Sequence, residues 1–186
     1  MFDSLKKLFG NKQPAVAATP ATPAAAALPA SDFLCRETVF GRDARPSAHL
    51  FRLQPTSPLA DAPDIRQSQF DRILLDTLNA SADAWNTSLA FVPINSLSLT
   101  LPAVDRLKTQ NLVLLVRLAE TAEAAAVQAR FEQLRERGIR IGLFRQPNHP
   151  AFTALIAQAD YAVIDAAGSE AGNIRDFSAA IRADVQ

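Results

Sequence analysis

The chain has 186 residues, enough for one domain, and its nineteen basic residues balance its nineteen acidic ones, which excludes a general electrostatic grip on DNA, RNA or anionic lipid. Its one cysteine, Cys35, excludes an intrachain disulfide and fits a reducing, cytoplasmic setting. No apolar run approaches the roughly 18 residues of a membrane span, and charges interrupt the apolar residues of the N-terminus, so neither a transmembrane segment nor a signal peptide is expected.

In chain order, Phe2, Leu5, Leu8 and Phe9 recur at helical spacing, with Lys6 and Lys7 on the other side and Gly10 as a stop. Residues 1–10 therefore read as a short amphipathic helix. Its apolar side is either a docking peptide for a partner or membrane, or a frayed terminus, because so short a helix is marginal alone. Residues 11–31 are mostly alanine, broken by Pro14, Pro20, Pro23 and Pro29. That composition suits a disordered Ala/Pro-rich tether rather than a helix or a core. The folded domain is expected over residues 32–186.

Phe33 to Phe40 and Ala48 to Leu53 read as two strands joined by a turn at Gly41–Ala44, followed by a proline-rich loop from Pro55 to Pro63. A helix is expected from Asp64 to about Ala80, burying Phe70, Ile73, Leu74 and Leu78. Ser88–Ile94 is a short apolar strand, with Trp85 before it as a packing plug, and Leu101–Leu107 makes a helical turn or two. Asn111–Leu118, with its Leu-Val-Leu-Leu-Val run, suits a parallel strand covered on both faces. A long helix from about Glu120 to Arg137 ends at Gly138, a site for a left-handed cap. Ile139–Phe144 is the next strand, Pro150 opens a helix carrying Phe152, Leu155 and Ile156, and Tyr161–Ile164 is a last short strand. Residues 172–184 close as a helix through Ile174, Phe177 and Ile181.

Alternating strands and helices predict an α/β fold with a mostly parallel sheet and right-handed crossovers. A complete eight-fold barrel takes about 250 residues, so units must be missing and the domain reads as an incomplete TIM-barrel-like fold.

Five segments in order resemble the cyclic di-GMP phosphodiesterase (EAL) family. Cys35–Phe40 resembles its opening A-R-Q-P-I-F strand, with Glu37 at the glutamine. Ala48-His49-Leu50-Phe51-Arg52 resembles the naming motif E-x-L-x-R, with Ala48 at the metal-binding glutamate. Phe91–Ser98 resembles the strand whose asparagine, here Asn95, is a metal ligand. Leu112–Leu118 resembles L-V-L-E-I-T-E, with leucine at both glutamate positions. Ala159–Asp165 resembles D-Y-x-K-I-D, with Val163 at the catalytic lysine. The strand from Gly138 to Gln146 is similar to one that ends in two aspartates in the family, and Phe144 and Arg145 stand there instead.

The resemblance implies an EAL-like scaffold, C-terminally shortened, from which the cation-binding carboxylates have gone. A hard divalent cation needs about six oxygen ligands. The matching positions hold Ala48, Asn95, Leu115, Phe144 and Arg145, with a carboxylate farther on at Asp165. No bound metal, no cofactor and no catalytic residue are therefore expected, and no phosphodiesterase activity. Two functions fit: a non-catalytic signalling or scaffold module in cyclic di-GMP signalling, joined to a protein partner or a second copy through exposed sheet edges or the N-terminal helix, or a cyclic di-GMP receptor that binds through Arg52, Asn95 and Arg145. A residual phosphodiesterase comes third. Arg52, Arg117 and Arg145 near strand ends could clamp a phosphate, or else pair with Asp160, Asp165 or Glu120, or point into water. His49 and His149 lack partners for a triad, and Cys35 suits a core position better than a reactive one.

Overall fold

The computed structural model describes residues 33–54, 64–85, 87–107, 111–165 and 171–184. These lie in the compact unit Ser31–Gln186. The expected helix at 1–10, with Phe2, Leu5, Leu8 and Phe9, the tether at 11–31 and the loop at 55–63 fall outside the described residues.

The architecture is α/β, as the alternating pattern predicts. Strands β1 (Phe33–Phe40), β2 (Pro46–Gln54), β3 (Leu89–Asn95), β4 (Leu112–Arg117), β5 (Arg140–Phe144) and β6 (Tyr161–Val163) form one sheet in sequence order. β1 pairs antiparallel with β2, and every later pair is parallel. Between them run helices α1 (Asp64–Ala80), α2 (Ala82–Trp85), α3 (Pro102–Asp105), α4 (Ala124–Glu136) and α5 (Phe152–Ile156), and α6 (Ala171–Asp184) follows β6. Among the described residues β1 and β6 do not pair, so the sheet is unclosed.

The core lies between the helices and one sheet face. Phe51, Val92, Leu114, Ile141 and Leu143 alternate onto that face and pack with Leu74, Leu75 and Leu78 of α1 and Phe131 and Leu134 of α4. The other face is concave. Phe91 on β3 and Tyr161 on β6 stand three strand spacings apart, about 14 Å in a flat sheet, yet their ring centroids lie 5.3 Å apart. The sheet must curl to bring them together, as part of a barrel wall does. The same curl buries Val113 and Leu115 on the side away from the helices, so β4 is covered on both faces as its apolar run predicts.

Local chemistry sets the boundaries. The β1–β2 turn is closed by Gly41 N–H donating to Arg45 O (2.8 Å), with Ala44 held at φ 57. α4 ends at Gly138, φ 80, where Ile139 N–H donates to Leu134 O and Gly138 N–H to Arg135 O. That is the paired bonding of a Schellman cap. Trp85 is buried and donates to Leu78 O (3.1 Å), capping the last turn of α1.

Three expectations need correction. The buried stripe of α1 is Asp71, Leu74, Leu75 and Leu78, while Phe70 and Ile73 are only half-buried. The true stripe follows i, i+3, i+4, i+7, and a carboxylate sits in it. The helix expected from Glu120 begins at Ala124, after Glu123, whose backbone is extended at φ −87, ψ 127. Residues Ser96–Thr100, given no element above, form a short 3-10 helix.

Candidate functional site

The C-terminal ends of β2 to β5 meet α1 around a cleft of about 310 Å³. Arg52 comes from β2, Pro93, Ile94 and Asn95 from β3, Arg117 from β4 and Phe144 from β5. Gln67, Phe70, Asp71 and Leu74 of α1 form the opposite wall. Residues at this end of parallel strands share one rim because each crossover helix returns the chain to the far end of the sheet.

Asp71 organises the rim. It is buried, and its Oδ2 accepts from the backbone N–H of Asn95 (2.7 Å) and the hydroxyl of Ser98 (2.6 Å), while Oδ1 accepts from Gln67 Nε2 (2.8 Å). Burial pushes the carboxyl above its ordinary 3.8, and the hydrogen bonds from Ser98, Asn95 and Gln67 oppose that rise. Asn95 is buried as well, and its Oδ1 accepts from Leu97 N–H (2.9 Å), capping the 3-10 helix. The oxygen that the family resemblance offers to a metal is thus already bonded.

The three candidate arginines separate. Arg52 forms an exposed ion pair with Glu37 on the neighbouring strand, not with the acids considered above. Arg117 lies over the Phe144 ring, 4.4 Å from its centroid, and among the described residues no carboxylate stands within ion-pair distance of it. Arg145 does not line the cleft. Its guanidinium lies 5.2 Å from the Phe177 ring of α6, and its buried Nε has no hydrogen-bond partner among the described residues. The cleft therefore gathers Arg52, Asn95 and Arg117, while Arg145 is covered by α6. Asp160 binds Arg135 and the N–H of Ile141 instead.

Side chains tie the loops behind the rim together. Gln146 donates to Leu118 O (2.9 Å) and accepts from Leu118 N–H (2.7 Å). Ser96 Oγ accepts from Ala119 N–H (3.0 Å). His149 accepts from Ala151 N–H at Nδ1 and so donates from Nε2 to Ala119 O (2.8 Å). His149 is a brace, with both ring nitrogens used. His49 sits mid-strand against Phe51, its Nδ1 buried and without a partner among the described residues. Cys35 is half-buried on β1.

Of the positions that the sequence resemblance sets against metal ligands, Ala48 is buried beside Leu89 at the start of β3 and so is not brought to Asn95 at its end. Leu115 is buried outside the cleft lining, Phe144 lines the cleft, and Asp165 is exposed beyond β6. Among the described residues no group of three or more His, Cys, Asp or Glu is gathered to hold a metal ion. None of the described helices is long and apolar enough to cross a membrane. Sequence reasoning missed Asp71, Ser96, Ser98 and Gln146. For Asp71 a signal existed, since it falls at helical spacing with Leu74, Leu75 and Leu78.

No family model matches the chain, and no curated protein matches it. Among solved structures it is similar to the Bacillus subtilis YkuI protein, which has an EAL domain and was solved with its substrate c-di-GMP and calcium. That match has 13% identity and a TM-score of 0.48, over 67% of this chain and 39% of that one. It is also similar to an EAL domain protein from Listeria monocytogenes EGD-e, with 12% identity and a TM-score of 0.48, over 72% of this chain and 62% of that one. The chain spans less than two thirds of either.

Proposed function

We propose that this chain is a non-catalytic EAL-like signalling module that works through protein contacts. The supporting observation is the donor set at the strand ends. Where the resembling family places a carboxylate the cleft has the Phe144 ring, Asn95 Oδ1 there accepts from Leu97 N–H, and two guanidinium groups border the cleft, while Ala48 and Leu115, the other apolar replacements, lie outside its lining. Hard cations need several charged oxygens, and Asp71, the carboxylate in the cleft wall, is enclosed by three donors. Such a rim repels a cation, so it lacks the means to activate water for phosphodiester cleavage. An unclosed sheet leaves strand edges for another chain to cover.

A second reading, a cyclic di-GMP receptor without hydrolysis, is favoured by one observation. Arg117 stands over Phe144 beside Arg52 and Asn95, offering positive charge and an aromatic face in one cleft. Capture from native cells with the full chain, compared with a form lacking residues 1–10, tests the first reading. Recovery of the same specific protein in repeated captures supports it, and recovery of none refutes it. Titration with labelled cyclic di-GMP tests the second, which fails if no binding appears at high micromolar concentration. Turnover of the dinucleotide with magnesium or manganese would contradict both.

A further inference from the structure

We propose that the partner at one sheet edge is a second copy of this chain, paired antiparallel through β1 with its two-fold axis at Thr38. This rests on the protein-contact reading above and names the surface, the occupant and the register. β1 is eight residues long and, among the described residues, has a strand beside it on one side only, β2. The other edge strand, β6, has three residues. A long edge of this kind templates another strand, and an antiparallel strand matches the hand and twist of a sheet that already begins antiparallel.

The side chains select a second copy, and they select a register. Arg36, Thr38 and Phe40 alternate onto one face, all exposed, and Phe40 is 62% exposed, one of two large apolar side chains so placed among the described residues. In a symmetric antiparallel pair, residues of like parity face each other on the same side of the sheet. Centring the pair on Arg36 opposes two guanidinium groups, centring it on Glu37 opposes two carboxylates, centring it on Val39 sets Arg36 against Arg42, and centring it on Cys35 sets both charged side chains against the apolar Leu34 and Phe33. Centring it on Thr38 opposes threonine to threonine and sets Arg36 of each copy against Phe40 of the other, twice. A guanidinium over an exposed ring is attractive, and it covers apolar area that otherwise faces water. On the opposite side Glu37 meets Val39, and its charge is already paired with Arg52 of its own chain. No like charges oppose each other in this register.

Sedimentation velocity of the full chain over a concentration series tests the proposal, which expects a reversible dimer. Phe40→Arg places arginine opposite Arg36 at both ends and raises the dimer dissociation constant at least about tenfold. Because Phe40 is exposed, circular dichroism stays that of the parent, and so does the melting temperature at concentrations where both are monomeric. The double variant Arg36→Glu/Phe40→Arg restores opposite charges across the axis and recovers the dimer. A parent that is monomeric at every concentration overturns the proposal, while a specific partner captured from cells would still support the protein-contact reading. A dimer that survives Phe40→Arg unchanged overturns it too, because the copies would then meet elsewhere. Failure of the double variant to recover rejects the register.

Discussion

Replacing Asp71 by asparagine separates the two roles of this side chain, hydrogen-bond acceptor and buried charge. Asparagine keeps one oxygen, which can accept from Asn95 N–H and Ser98 Oγ, and Gln67 turns its amide over to offer an oxygen to the new amide nitrogen. The bonds survive and the charge goes. Burial raises the folded carboxyl above its ordinary 3.8, so its contribution to stability is fully present below the unfolded value and is lost as pH rises through the raised folded value. Relative to the parent, Asp71→Asn should gain stability as pH rises across that window and hold the gain above it. Alanine is different. It leaves the buried Asn95 N–H and Ser98 hydroxyl without their acceptor, at about 1–3 kcal/mol for each unsatisfied group. With some relief from rotation of the hydroxyl, Asp71→Ala should lose about 2–4 kcal/mol. Urea unfolding at a series of pH values from about 4 to about 7 measures both variants against the parent. A stability difference between Asp71→Asn and parent that stays constant or shrinks with rising pH would refute the role given to burial, and a loss below about 1 kcal/mol in Asp71→Ala would refute the role given to the bonds.

Three further substitutions test the packing around the site. Gly142→Ala places a Cβ 2.5 Å from Leu115 Cδ2 and 3.3 Å from Tyr161 Cβ, so the Leu115 methyl must move aside; chemical denaturation should show a loss of up to about 1 kcal/mol. Phe177→Ala removes the ring that stacks on Phe152 at 6.2 Å and covers Arg145; stability should fall by about 1–3 kcal/mol, with limited proteolysis in α6 the first readout to change. Ala44→Gly relieves a left-handed residue at φ 57 in an exposed turn; thermal melting should show a gain of up to about 1 kcal/mol, and a loss would mean that the turn's conformation is not what limits it.

The fold was legible where one physical signal acted alone. The Leu-Val-Leu-Leu-Val run identifies a strand covered on both faces, and Gly138 identifies a helix end because only glycine accepts a positive φ without cost. Signals in competition were not legible. Ser96 to Leu101 alternates polar and apolar residues as a strand would, yet Asn95 caps a 3-10 helix there, because Ser98 turns inward to Asp71. The start of α4 could not be read from helical spacing, because Glu123 sets it by an extended backbone with no capping side chain to mark it.

At the site, the order of residues fixes the chemistry on offer: apolar Ala48, Leu115 and Phe144 on the strands, and the guanidinium groups of Arg52, Arg117 and Arg145 near strand ends. Side-chain identity at a strand end depends on nothing farther along the chain. Which groups meet is settled by packing. It put Arg117 with Phe144, gave Arg52 to Glu37, hid Arg145 beneath Phe177 and made Asp71 the acceptor that fixes Asn95. Those pairings are set by the curl of the sheet and by the helix faces laid against it, distances that no local pattern of residues encodes.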